Sequence, residues 1–213
     1  MSAEANPLLK GQFTPMNRAV FLDRDGVINA LVYRPSQAIH DSPYSLTEFR
    51  LLPGVADAIN QIHRLGMLAV VISNQPGVAK GRCDRELLQT LSDELRKRLA
   101  VEGAWLDGIY YCLHHPASIV EELKVECQCR KPKPGLLFRA AEELDIALAA
   151  SYMIGDTDRD VGAAFAAGCT PILVKRGAGY AGKSFCLTAR DLVHAAKEIS
   201  TRESALDDGE SAA

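Results

Sequence analysis

Asp23 and Asp25 stand two residues apart, directly after the apolar run Ala19, Val20, Phe21 and Leu22. A second apolar run, 151–155, ends the same way, in "GDTDRD", which delivers Asp156 and then Asp158 and Asp160. Between them lie two polar stretches. "SNQPGVAKG", residues 73–81, offers a hydroxyl, two amides and glycines whose backbone N–H groups could meet an oxyanion. "CRKPKPG" carries Arg130, Lys131 and Lys133. Each has a plain alternative when taken alone: a polar turn, a solvated cationic face, or Thr157 or Asp158 capping a helix. Taken together they are harder to set aside. Converging carboxylates repel one another unless a hard cation joins them, and Mg²⁺, with its oxygen ligands and retained waters, fits. A metal with Lys, Ser and backbone donors is equipment for stabilising a transferring phosphoryl group. One carboxylate can attack phosphorus, and another can protonate the leaving oxygen and then activate water.

The elements that must position these residues read as strands at 18–22, 67–73, 108–113, 151–155 and 171–174, short and rich in Val, Ile, Leu or Tyr. Amphipathic helices are expected at 54–65, 84–101, 134–144, 158–167 and 189–199. This alternation predicts an α/β fold, a doubly wound Rossmann-like parallel sheet that binds ligands beyond the carboxyl ends of its strands. Residues 1–16 read as a loose arm, 17–200 as a single domain and 201–213, "TRESALDDGESAA", as a disordered acidic tail. The 213 residues are 47% hydrophobic and 24% charged, ordinary for one globular α/β domain, and the net charge of -3 argues mildly against a nucleic-acid partner. No apolar run is long enough to span a membrane, and the first residues lack a signal-peptide pattern, so a cytoplasmic location is expected. Six cysteines are too few for a disulfide scaffold; Cys112, Cys127 and Cys129 cluster as metal or catalytic cysteines do, whereas Cys83, Cys169 and Cys186 stand alone.

Four segments, in order, resemble the motifs of the haloacid dehalogenase-like (HAD) phosphatases: "FLDRDGVIN", "VISNQPGVAKG" with Ser73 in the Ser/Thr position, "CRKPKPG" with Lys131 as the third-motif lysine, and "MIGDTDRD" with Asp156 and Asp160. The resemblance runs from residue 18 to about residue 180. It implies that Asp23 is the nucleophile and Asp25 the general acid/base, and that Mg²⁺ is held by the Asp23 carboxylate, the Asp25 backbone carbonyl and Asp156. Ser73 and Lys131 would stabilise phosphoryl oxygens, with Asn74, Gln75 and Arg130 placed to meet phosphate or substrate. "SNQPGVAKG", "DGIYYCLHHP" and "CQCRKPKPGLL" are further similar to the branch holding the heptose 1,7-bisphosphate 7-phosphatases and the histidinol-phosphatase domain. In that branch a zinc loop precedes the lysine, and here Cys112, His114, Cys127 and Cys129 flank it. Three thiols and an imidazole make a closed tetrahedral site of the structural kind, expected to order Arg130 and Lys131. His115 is a competing imidazole, although Pro116 turns the chain after it, and the Cys-x-Cys pair could instead be incidental.

Two departures bear on substrate. Thr157 stands where that branch usually has a lysine, and the stretch 29–51 is several residues longer than its usual substrate loop. That stretch contains Arg34, His40 and Tyr44. Arg34 is the candidate for a second phosphate, since its planar fork suits that group, with a solvated surface residue as the alternative; His40 is expected at the surface. Neither this insert nor the zinc loop can build a domain core, so a capless member with an open site is expected. "GAGYAG", residues 177–182, satisfies a dinucleotide pattern but has too little chain after it and is expected to be a surface loop. The sequence thus reads as a monomeric Mg²⁺-dependent phosphomonoesterase with a structural Zn²⁺. Its expected partner is a small phosphorylated substrate, a sugar bisphosphate foremost and, as the resemblance implies, heptose 1,7-bisphosphate; no membrane is expected, and a nucleic-acid 3′-phosphatase is a further reading that the net charge argues against. Histidinol phosphate or another phosphomonoester is the alternative substrate, and a non-catalytic zinc-stabilised binding module is the alternative from outside hydrolysis.

Overall fold

A computed structural model describes residues 17–174 and 186–210, with side chains described as far as residue 206. The expected arm at 1–16, the "GAGYAG" loop and residues 211–213 lie outside the described residues. Among the described residues, eight strands and five α-helices follow in chain order: β1 Arg18–Leu22, β2 Val32–Arg34, β3 Ile39–Asp41, α1 Val55–Arg64, β4 Met67–Asn74, α2 Arg85–Val101, β5 Gly108–Cys112, α3 Gly135–Leu144, β6 Tyr152–Gly155, α4 Asp158–Ala167, β7 Thr170–Val174, β8 Leu187–Ala189 and α5 Leu192–Glu210. Six of the strands form one parallel sheet in the order β5-β4-β1-β6-β7-β8.

Alternation along the central strands feeds two cores. Val20 and Leu22 of β1 and Ala69 and Val71 of β4 face a core completed by Ile59 and Ile62 of α1, Leu91, Leu95 and Leu99 of α2, and Ala195 and Ile199 of α5. Ala19, Phe21, Val70 and Ile72 point the other way, onto Leu136, Leu137 and Ala140 of α3 and Ala163 and Ala164 of α4. Helices on both faces explain why β1 reads as a continuous apolar run rather than an alternating one. They also leave ligands the strand ends, where the order reverses around β1. Leu22 is level with Val71 on one side and Ile154 on the other. Asp23, Ser73 and Asp156 therefore leave three adjacent strands at one edge.

Three features depart from the expected pattern. The insert after β1 forms a two-stranded antiparallel hairpin, β2–β3, with Tyr33 opposite His40; its strands are three residues long, below what hydrophobic periodicity can register. A short edge strand, β8, was not expected for the same reason. The tail read as disordered is a correction: α5 continues to Glu210. Its reach is explained by Glu203, which is buried, accepts a hydrogen bond from the Tyr152 hydroxyl at 2.8 Å and pairs with Arg18. An acidic composition conceals such an anchor, because only the fold brings Arg18 and Tyr152 beside it. Between β1 and α1, and between β5 and α3, the chain holds only the hairpin and the cysteine-bearing loop, so the site is capless. Among the described residues no helix is long and apolar enough to cross a membrane.

Candidate active site

Strand β1 ends with the Asp23 N–H donating to the Ile154 carbonyl at 2.9 Å, which fixes the first carboxylate against β6. The turn that follows closes on itself, with Ile28 and Asn29 N–H groups both donating to the Arg24 carbonyl. Gly26 sits in this turn at φ +88°, and a Cβ there would lie 2.1 Å from Asp156 Oδ2. Glycine is required both by the left-handed backbone and by the approach of the β6 carboxylate. Gly155 has a matching reason: a Cβ on it would lie 2.1 Å from the Asp160 Cβ, because α4 folds directly back over the end of β6.

Asp23, Asp156 and Asp160 each present a carboxylate oxygen within 4.8 Å of the others. Lys131, itself 3% exposed, is the cation among them. Its Nζ lies 3.0 Å from Asp23 Oδ1 and 2.5 Å from Asp160 Oδ1, and it donates to the Ile72 carbonyl at 2.8 Å. Burial works against a charged amine here, but the two carboxylates outweigh it and raise the Lys131 pKa. One amine does not balance three acids. Burial, reinforced by Asp160 and Asp25 and opposed by Lys131 and the Ser73 hydroxyl, pushes Asp23 up to about 6. Burial with Asp23 and Asp160 pushes Asp156 up to about 7. Both shifts mark a site short of positive charge, and its donors are all hard oxygens.

Asp25 has the opposite environment. Its Oδ1 accepts from Arg24 and from Asn29 Nδ2 at 2.8 Å, and its Oδ2 accepts from Gln75 Nε2 at 2.7 Å and the Ser42 hydroxyl at 2.8 Å. Burial favours protonation, but Arg24 and these donors outweigh it and hold the carboxyl below its usual range. Arg24 is fully buried, also donates to Gln75 Oε1 at 2.9 Å and lies over the Tyr111 ring.

Asp23, Asp25, Ser73, Asn74, Arg130, Lys131, Asp156 and Asp160 line one cavity of about 210 Å³. The structure thus brings together Asp23, Asp25, Arg130, Lys131, Asp156 and Asp160, whereas Lys133, which pairs with Glu126, and Asp158 do not line the cavity. Asn74 reaches it as a clamp on the lysine segment: its Nδ2 donates to the Lys131 carbonyl and its Oδ1 accepts from the Lys131 N–H. Gln75, 3% exposed, is directed to Asp25 and does not line the cavity. Arg34 is corrected as well. Glu48 takes its guanidinium in a bidentate pair at 2.5 and 2.8 Å, and the Ser42 carbonyl accepts from it at 2.9 Å, so it braces the hairpin instead of facing the site. His40, expected merely at the surface, does line the cavity. Ser42, Arg24 and the Asp160–Lys131 pair were not picked out by sequence. Asp160 had a signal in "GDTDRD"; Ser42 had none, because the hairpin alone carries it to Asp25. Thr157 caps α4, its hydroxyl donating to Asp160 Oδ2 at 2.6 Å.

The cysteine-bearing loop closes on a second cluster. Cys112 Sγ lies 3.6 Å from Cys127 Sγ and 3.3 Å from Cys129 Sγ, and His114 Nδ1 lies 3.2 Å from Cys129 Sγ and 3.8 Å from Cys112 Sγ. All six cysteines are free. A tetrahedral site with metal–sulfur bonds of about 2.3 Å has ligand–ligand edges of roughly 3.7 Å, so the four groups are spaced to hold a metal. His115 turns away, its Nδ1 accepting from the Ala117 N–H. The loop also has an anchor that sequence did not reveal: Leu123 packs with Val78, Ala79 and Leu88, and Ser118 Oγ and Ile119 N both donate to the Ala79 carbonyl. Arg130, just after Cys129, donates to the His114 carbonyl at 3.2 Å.

Residues 128–195 match the HAD-hydrolase-like family model. The D-glycero-beta-D-manno-heptose-1,7-bisphosphate 7-phosphatase of Escherichia coli K12 is 42% identical over 160 residues, covering 75% of this chain and 80% of that relative. The enzyme of the same name from Vibrio cholerae is also 42% identical, over 75% of this chain and 82% of its own. The crystal structure of D,D-heptose 1,7-bisphosphate phosphatase from B. bronchiseptica, complexed with magnesium and phosphate, superposes with a TM-score of 0.72 at 31% identity, over 87% of this chain and 99% of that one. With identity and coverage of this order, the chain belongs to the heptose-1,7-bisphosphate 7-phosphatase family of HAD-like phosphoric monoester hydrolases.

Proposed function

We propose that this enzyme removes the 7-phosphate of D-glycero-D-manno-heptose 1,7-bisphosphate through an aspartyl-phosphate on Asp23. The observation that carries the chemistry is the Asp23 carboxylate, held 3.0 Å from a buried Lys131 in a cavity that also contains Asp156 and Asp160. The substrate comes from the relatives that bear that activity. Asp23 attacks phosphorus and the bond to the sugar oxygen breaks. Lys131, with the Ser73 hydroxyl, meets the phosphoryl oxygens as their charge spreads in the transition state. Arg130 and Asn74 line the same cavity, Arg130 as a further donor and Asn74 through its hold on Lys131.

Asp25 gives the departing oxygen a proton, then takes one from the water that hydrolyses the acyl-phosphate. Its depressed pKa suits the second half. The first half needs the negative charge of the bound phosphate nearby to raise it.

The crowded oxygens of Asp23 and Asp156, both with raised pKa values, fit a hard divalent cation such as Mg²⁺, with the Asp25 backbone carbonyl as a further ligand. Bound there, Mg²⁺ would neutralise charge on the phosphoryl oxygens and draw the phosphate toward Asp23. Cys112, His114, Cys127 and Cys129 fit Zn²⁺ in a closed structural site that fixes the segment delivering Arg130 and Lys131.

The test is phosphate release with Mg²⁺ from heptose 1,7-bisphosphate, histidinol phosphate and a 3′-phosphorylated oligonucleotide. The heptose bisphosphate should have the highest kcat/KM, and its product should keep the 1-phosphate. A higher kcat/KM on either other substrate would overturn the assignment.

A further inference from the structure

The cavity around Asp23, at about 210 Å³, is smaller than the roughly 300–1,000 Å³ typical of small-molecule sites. It holds the reacting phosphate and leaves most of a phosphorylated sugar to extend elsewhere. A second cavity of about 620 Å³ adjoins it, lined by Gly26, Ala30, Leu31, His40, Leu52, Asp156 and Val174. Leu31, His40 and Asp156 line both, so they form the wall across which a substrate would pass. Asp156 belongs to the acidic cluster and Leu31 has no polar side chain. Among the described residues lining the larger cavity, His40 is the one whose side chain carries a nitrogen donor.

His40 stands on an anchored support. It lies on β3 opposite Tyr33, with the two rings 5.2 Å apart and tilted. The hairpin is braced by the Arg34–Glu48 pair and by Arg82, which pairs with Asp41 and donates to Gln37 Oε1 at 2.9 Å. At its far end Ser42 reaches Asp25. No described residue hydrogen-bonds the His40 ring. An exposed imidazole that is uncommitted, oriented and set on the wall shared by two cavities is available to a ligand.

We infer that His40 is a specificity-determining residue: it hydrogen-bonds the part of the substrate beyond the reacting phosphate, an oxygen-rich sugar or its second phosphate. This rests on the reading of the site as a sugar-phosphate phosphatase. Contacts remote from the reacting centre supply binding energy selectively to substrates that possess the remote groups. A sugar phosphate should therefore depend on His40, and a small aryl phosphate should not.

The experiment measures kcat and KM for wild type, His40→Ala and His40→Asn on heptose 1,7-bisphosphate, on any other sugar phosphate that wild type prefers, and on p-nitrophenyl phosphate. For His40→Ala the expected result is a tenfold or greater loss in kcat/KM on the preferred sugar phosphate, carried mainly by KM, against less than twofold on the aryl phosphate. His40→Asn, which keeps a donor, should recover part of the loss. An equal loss on both substrates, or none on the sugar phosphate, would overturn the role of His40. Wild-type preference for another sugar phosphate would overturn the heptose assignment while leaving the His40 ratio measurable on that substrate.

Discussion

Asp156 should weaken the fold until a cation is present. Its pKa rises from the ordinary 3.8 to about 7 in the folded chain. Between those values the folded protein holds a proton that the unfolded chain has released, so stability without added Mg²⁺ should fall as pH climbs from about 4 to about 7. At 1.36 kcal/mol for each pH unit between the two values, the loss is on the order of 4 kcal/mol. Asp23, raised to about 6, acts in the same direction, but the two carboxylates influence each other and their losses do not simply add. Against a total stability of roughly 5–15 kcal/mol, this is easily measured. The perturbation is Asp156→Asn, which removes the charge and nearly keeps the shape. Urea unfolding at about pH 8 without Mg²⁺ should find the variant more stable than wild type by on the order of 2 kcal/mol, about half the loss, because a buried amide has its own hydrogen-bonding needs. Millimolar Mg²⁺ should stabilise wild type at about pH 8 and not at about pH 5, and should do little for the variant at either pH. A variant less stable than wild type at the higher pH, or equal stabilisation of both proteins by Mg²⁺, would refute the argument from carboxylate crowding.

Asp23→Asn should abolish turnover while leaving the urea midpoint near or above the wild-type value, since an amide cannot form the acyl-phosphate; steady-state phosphate release within tenfold of wild type would remove Asp23 from the mechanism. Lys131→Met should cost roughly 3–5 kcal/mol of stability, because it leaves Asp23 and Asp160 without their buried cation, and should cut kcat by at least a hundredfold; unfolding and single-turnover measurements separate the two effects. Metal analysis should find about one zinc per chain, and Cys127→Ser should lose both the zinc and part of the activity. In that variant Leu123 and Ser118 should still hold the far end of the loop, so hydrogen exchange should rise near residues 126–131 more than near 118–123.

The sheet was legible because its strands are buried on both faces and so appear as unbroken apolar runs, and β1 was placed to the residue. The charged set was legible because each strand ends abruptly in polar residues, and a parallel sheet gathers such ends at one edge. What escaped sequence reading depends on contacts between distant segments. Arg34 had the right chemistry for a phosphate, yet Glu48, fourteen residues on, already occupies its fork. Gln75 sits in a polar loop, but its amide bridges Asp25 and Arg24, donating to the first and accepting from the second. The α5 extension looked unfoldable from its acidity alone, and one buried glutamate with two partners was enough to hold it.

A capless enzyme must still control what reaches its carboxylates, and the hairpin bears on how. If it worked as a lid, turnover would require it to lift, breaking its tethers. The Arg82–Asp41 and bidentate Arg34–Glu48 pairs are both partly buried and are each worth about 0.5–1 kcal/mol, the upper part of the range for such pairs. The Ser42 hydrogen bond is buried and ends on an ionised carboxylate, worth about 1.5–3 kcal/mol. Together these amount to roughly 3 kcal/mol, which keeps the hairpin down more than 99% of the time at about 1.4 kcal/mol per factor of ten. With the hairpin down, His40 and Leu31 line both cavities. On this reading substrate choice is expected to follow the lining of the two cavities rather than the energy of a closing domain. The Ser42–Asp25 bond then has a second consequence: any substrate that displaced the hairpin would also remove a donor from Asp25, raising its pKa toward the protonated form that the proposed first half of the reaction would use.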